Sequence, residues 1–121
     1  MVTTKGLFEL EQQGETLVVT PTTDLQELRY DEIEHGAKDV LSWLESGQAK
    51  NVVLDFRRTT YYGSTALGFF VRVWKRVRSR GGNMAFCNVS ALEREILEVT
   101  KLNGLWPVCA SRAAALAAVG G

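Results

Sequence analysis

Hydrophobic positions along the chain change period several times, and each change marks an element. Leu7 to Gln12 and Glu15 to Thr20 are two strand candidates on either side of Gln13-Gly14. Two short runs around a glycine predict a β-hairpin. Pro21 ends the second run, because proline donates no ladder hydrogen bond. From Tyr30 to Ser46 the spacing becomes helical, with Ile33, Ala37, Val40, Leu41 and Leu44 on one face and Gly47 as the stop. His35 points away from that face. Asn51 to Phe56 is a short apolar, β-branched run of the kind that forms a strand buried on both sides.

A polar loop, Arg57 to Gly63, leads into a second helical stripe of Leu67, Phe70, Val71, Trp74 and Val77, which Gly81-Gly82 closes. Asn83 to Val89 is a third apolar strand. Ser90 and Glu93 have capping-box spacing, in which each side chain takes the other residue's free backbone N–H. Leu92, Ile96 and Val99 give the helix that follows its apolar face, and Asn103-Gly104 stops it. Trp106 to Cys109 is a short last strand, and Ser111 caps an alanine-rich helix to about Val119.

The order β-β-α-β-α-β-α-β-α predicts one α/β domain over residues 1–121, with a mixed, mainly parallel sheet, an N-terminal hairpin and about four helices. If the parallel strands lie in sequence order, right-handed crossovers put every crossover helix on one face. The last strand, with Pro107, then falls at an edge, where a missing N–H is tolerated.

Composition narrows the function. A chain of 121 residues, 45% hydrophobic and 23% charged, is one globular domain with a core of its own. Fourteen basic and fourteen acidic residues cancel. That balance argues against a nucleic-acid binder, which usually carries a basic excess. Cys87 and Cys109 sit in apolar runs, and two cysteines are too few for a disulfide framework. Buried, reduced thiols and a cytoplasmic location are expected. The N-terminus carries no apolar signal-peptide core, and no stretch is long enough to cross a membrane.

Catalytic chemistry finds no support. A phosphate-binding loop needs Gly-Lys-Ser/Thr, and no lysine lies near Gly63-Ser64-Thr65. A nucleophile elbow needs Gly-x-Ser-x-Gly, but Tyr62 and Ala66 stand at the glycine positions. One histidine and two scattered cysteines cannot build a zinc site. No enzyme activity and no cofactor are expected.

The segment NVVLDF-RRTTYY-GSTALGFF, residues 51–70, resembles the signature of STAS domains, typified by bacterial anti-sigma factor antagonists. Asp55 matches that family's strand-end Asp, Ser64 the first serine of its Asp-Ser-Ser-Gly-Leu-Gly motif, and Leu67-Gly68 the Leu-Gly. Weaker similarity runs from Leu7 to Val119. The resemblance implies a STAS fold and a non-enzymatic, protein-binding regulator. Its partner would be an anti-sigma factor or related regulatory kinase, and Ser64 would be a phosphorylation site. Two positions depart from the motif: Gly63 replaces the acidic residue before the serine, and Ala66 the following glycine. The alternative is a STAS-like scaffold or nucleotide-binding module without a phosphoswitch.

Ser64 also has a plain reading as the N-cap of the second helix, worth about 1 kcal/mol. The basic run Arg72, Lys75, Arg76, Arg78 and Arg80, with Phe69 outside the apolar stripe, reads either as a solvated face or as an interface anchor. Arg57 and Arg58 are either ordinary loop residues or partners for a phosphate or carboxylate. One of Tyr61 and Tyr62 is expected to pack under the loop. The expected docking surface comprises Asp55, Arg57, Arg58, Gly63, Ser64, Thr65, Phe69, Arg72 and Arg76.

Overall fold

The computed structural model describes residues 2–120. They form strands β1 (Val2–Lys5), β2 (Phe8–Gln13) and β3 (Thr16–Pro21), a 3₁₀ turn at Glu27–Arg29, and helix α1 (Tyr30–Glu45). Then come β4 (Asn51–Asp55), α2 (Ser64–Ser79), β5 (Met84–Cys87), α3 (Ala91–Val99), β6 (Val108–Cys109) and α4 (Arg112–Val119).

The six strands form one sheet in sequence order. β1–β2 and β2–β3 pair antiparallel, and β3 to β6 run parallel. The expected hairpin is β2–β3. β1 was not anticipated: its sequence, VTTK, is too short and polar to show a period, and Gly6 turns it back with φ +57°. Pro107 stands immediately before the edge strand β6, and its carbonyl accepts the Phe86 N–H at 2.9 Å. Pro107 therefore sits at the sheet edge, as expected, just before the two paired residues of β6.

Strand alternation divides the core in two. Leu17, Val19, Val52, Leu54 and Phe86 face the layer of α1, α2 and α3. Val18, Val53, Ala85 and Cys87 face α4, which packs there through Ala115 and Val119. The three crossover helices thus share one face. α4 follows the last parallel strand, crosses nothing, and covers the other face.

α2 is the middle helix of its layer, and this corrects the expected stripe. Its inward residues are Ala66, Phe69, Phe70, Val73 and Val77, while Leu67, Val71 and Trp74 are half-buried. A helix flanked on both sides buries a wider arc than one stripe. Phe69, expected to be an exposed anchor, is 1% exposed, with its ring centroid 5.3 Å from that of Phe8 and 5.7 Å from that of Phe70. Gly36 explains how α1 comes close enough to cover this pair: a Cβ at that position would fall inside the Phe8 ring.

Cys87 and Cys109 are free thiols in register on neighbouring strands. Cys87 is buried, and burial, with the nearby Asp55 charge, pushes its thiol up to about 12. Cys109 is only half-buried, less than expected.

Candidate functional site

Asp55 ends β4, and the chain then turns through residues 56–63 before α2 begins. In open parallel sheets this carboxyl end of a strand is where binding residues collect. The loop is held from beneath by buried aromatic packing. Phe56 lies edge-on to Tyr62 at 5.2 Å and to Phe70 at 5.5 Å. Tyr62 is the tyrosine that packs under the loop. It is 1% exposed, and its hydroxyl donates to the Glu93 carbonyl at 2.8 Å, the partner a buried phenol requires. Burial, and then the Glu93 charge, raise its pKa.

The capping box of α3 joins this support. The Glu93 N–H donates to Ser90 Oγ at 3.0 Å, and the Ser90 N–H donates to Glu93 Oε1 at 2.9 Å. The box also reaches the loop: Ser90 Oγ donates to the Thr60 carbonyl at 2.7 Å, and buried Thr59 donates its hydroxyl to Glu93 Oε2 at 2.5 Å. Burial raises the Glu93 carboxyl above its ordinary range, although the Ser90 N–H and the Thr59 and Ser90 side chains oppose the rise.

A second set of contacts, absent from the sequence reading, comes from the segment before α1. Asp24 Oδ1 accepts the Thr60 N–H at 2.8 Å and the Tyr61 N–H at 3.4 Å. The Leu25 carbonyl accepts the Gly63 N–H at 2.9 Å, and Leu25 bridges Tyr62 in parallel. The Glu27 carboxylate lies on Gly63, where a side chain would otherwise stand. Its own backbone N–H, the Tyr61 hydroxyl at 2.9 Å and the Ser64 N–H hold it below the usual carboxylate range. These residues lie 34 to 38 positions from their partners, so no local spacing announces them.

Ser64 is the first residue of α2 and is exposed. The N-cap is Gly63, and no side chain caps the helix. The capping reading of Ser64 is therefore corrected: among the described residues its hydroxyl bonds to nothing. Thr65 is half-buried beside it, and Gly68, one turn further on, is exposed with open space at its Cβ.

The other expected docking residues scatter. Asp55 is wholly buried and internal. Its carboxylate accepts Asn88 Nδ2 at 2.9 Å, Arg112 Nε at 2.9 Å and the Arg57 N–H at 3.1 Å. Burial pushes this carboxyl up, but those bonds outweigh it and hold it below the usual range. Arg112 also reaches Glu11 and Thr20, so Asp55 ties β4 to α4 and is out of a partner's reach. Arg58 pairs with Glu9 at 2.5 Å. Glu9 alternates with Phe8 and Leu10, which face α1 and α2, so Arg58 is drawn toward the opposite sheet face, away from Ser64. Arg57 is exposed.

Arg72 forms a two-pronged pair with Glu34, at 3.1 and 3.3 Å, and Arg76 pairs with Glu45. Both acids lie on α1, so the basic run of α2 is neutralised in part from the neighbouring helix, and Lys75 and Arg78 make no ion pair among the described residues. At the start of α2, Ser64 and Gly68 are exposed and Thr65 is half-buried, while Arg57, Arg58 and Thr60 are exposed in the braced loop before them. Among the described residues no helix is long and apolar enough to cross a membrane, and no cluster of possible metal ligands occurs.

Known proteins share this architecture. The chain is 35% identical over 69 residues to a protein described as an anti-sigma factor antagonist, BtrV, of Bordetella bronchiseptica. That match covers 57% of this chain and 60% of the relative's length. The crystal structure of an anti-sigma-factor antagonist (STAS) domain protein from Planctomyces limnophilus superposes with a TM-score of 0.81 at 27% identity, covering 94% of this chain and 98% of that one. An anti-sigma factor antagonist structure from Thermotoga maritima gives 0.83 at 19% identity, covering 93% of each chain. The STAS domain model matches residues 8–115, from the start of β2 into α4. With that span and the sheet order, the chain belongs to the STAS domain family.

Proposed function

We propose that this domain is a regulatory binding module of the anti-sigma factor antagonist kind. It docks an anti-sigma factor or related regulatory kinase around Ser64 and the first turns of α2, and phosphorylation of Ser64 releases it. The observation that carries this reading is the Ser64 hydroxyl: exposed, unbonded, and on a loop whose neighbours are braced by α3 and residues 24–27. A group that serves no structural bond, on a rigid support, is available to a kinase. A phosphate there adds about −1.5 to −2 charges to the docking surface. The names of the relatives support the partner class.

The docking surface is smaller than the sequence reading implied. Ser64, Thr65 and Gly68 form its centre, Arg57 is a candidate at its edge, Arg58, Arg72 and Arg76 are engaged in surface ion pairs, and Asp55 and Phe69 are buried in the fold. The nucleotide-binding alternative gains nothing from the geometry, because the Glu27 carboxylate already lies at the α2 N-terminus and would oppose a phosphate ligand.

The test is phosphorylation by the cognate anti-sigma kinase with ATP, followed by mass spectrometric mapping. The expected result is one phosphate, on Ser64, absent from Ser64→Ala. Phosphate elsewhere, or none while the same kinase modifies its known substrate, contradicts the phosphoswitch.

A further inference from the structure

We propose that residues 24–27 are a strap held on α2 by Glu27, and that a negative group on Ser64 evicts Glu27 and loosens the strap; the biological trigger rests on reading Ser64 as the modification site. Three contacts fasten the strap to the loop. Asp24 takes the Thr60 and Tyr61 N–H groups and the Thr60 hydroxyl. The Leu25 carbonyl takes the Gly63 N–H. Glu27 takes the Tyr61 hydroxyl and occupies the space left by the missing side chain at Gly63, next to the first turn of α2.

The first turn of a helix exposes unpaired N–H groups that carry roughly half a positive charge. A carboxylate held beside those groups is favourable even without capping the helix. α2 has no acidic residue in its first turn, so Glu27, from another segment, is the carboxylate held there. A second anion on the adjacent Ser64 side chain would compete for the same donors and repel Glu27 at short range. Glu27 is exposed and can leave, whereas Ser64 is fixed by the helix.

Leaving would break the Tyr61 bond. It would also free the stretch that continues into Leu28 and Tyr30, exposed apolar residues at 97% and 57%. Charge at Ser64 would then change the shape of the surface as well as its potential.

Hydrogen exchange followed by NMR on the whole chain, with Ser64→Asp as the probe, requires neither kinase nor partner. The Thr60, Tyr61 and Gly63 amides should exchange about tenfold faster than in wild type, a size set by one like-charge contact near the surface. The Val53 and Leu54 amides should be unchanged. In a Glu27→Gln background, Ser64→Asp should add less than about twofold, because no second charge remains to be repelled. Gly63→Ala, which displaces Glu27 by bulk alone, should accelerate the same three amides. Unchanged exchange in Ser64→Asp, an equal acceleration in the Glu27→Gln background, or acceleration of the β4 amides by the same factor would each overturn the strap. Because none of these readouts involves binding, the strap can fail while the docking reading survives, and the reverse.

Discussion

Replacing Ser64 with alanine deletes a hydroxyl that bonds to nothing, under an N-cap that is already glycine. Its unfolding free energy in urea should therefore stay within about 0.5 kcal/mol of wild type, as for ordinary surface changes. Phe69→Ala should behave oppositely and cost about 3–5 kcal/mol, because it opens a cavity beside Phe8 and Phe70. The same urea titrations settle both, and a mild Phe69→Ala would restore that residue as a surface anchor. Glu93 supplies a pH test. Its carboxyl is raised by burial, so the folded state holds that proton more tightly than the unfolded one. The cost of its charge is absent below the unfolded glutamate value of about 4.3 and grows as pH rises through the folded value. Glu93→Gln keeps the capping box and removes the charge. It should be at least as stable as wild type at pH 7, with the advantage shrinking as pH falls toward 4. A Glu93→Gln deficit constant across that range would mean that the charge itself is needed by Thr59 and Ser90.

At the scale of elements, legibility followed sequence distance. The Ser90–Glu93 box, the Ser111 cap, whose Oγ accepts the Ala114 N–H at 3.1 Å, and the Gly47 stop at φ +81° were all readable, because three or four residues contain the whole signal. The α2 stripe was read one flank off, since a period locates a face but not how many neighbours cover it. Gly36 carries no local signal, and only its approach to Phe8 explains a glycine inside α1. Gly36→Ala should cost about 1–3 kcal/mol, the overpacking range, where helix propensity alone would make it stabilising. Thermal melts decide the sign. Arg112 was invisible for the same reason as Asp24 and Glu27: its partners Asp55, Thr20 and Glu11 lie 57, 92 and 101 positions away. Arg112→Ala would strand a buried carboxylate and should cost on the order of 2–3 kcal/mol, the low side for breaking such a pair because the arginine is partly exposed. Asp55 is depressed in the fold, so its contribution is present above the unfolded aspartate value of about 3.9 and is lost as pH falls through the folded one. In Arg112→Ala that acid-side loss should be smaller.

At the scale of the whole molecule, one sheet separates two tasks. The face carrying α4 is tied to the sheet through Arg112, which bonds Asp55, Glu11 and Thr20. The other face carries α1, α2 and α3, and at its strand-end rim sits the loop that presents Ser64. The family was legible from the resemblance of residues 51–70 to the STAS signature, and the sheet order from the alternation of strand and helix periods along the whole chain. The docking surface was not, because exposure depends on which helix lies alongside. In the proposed mechanism, charge at Ser64 decides partner binding. Calorimetric titration of the cognate anti-sigma factor with wild type, Ser64→Ala and Ser64→Asp tests it directly. Wild type and Ser64→Ala should bind within about threefold of each other, less than the tenfold that 1.4 kcal/mol represents, and Ser64→Asp should bind at least about a hundredfold more weakly. Equal affinity for all three, with Ser64→Asp folded, would contradict the account.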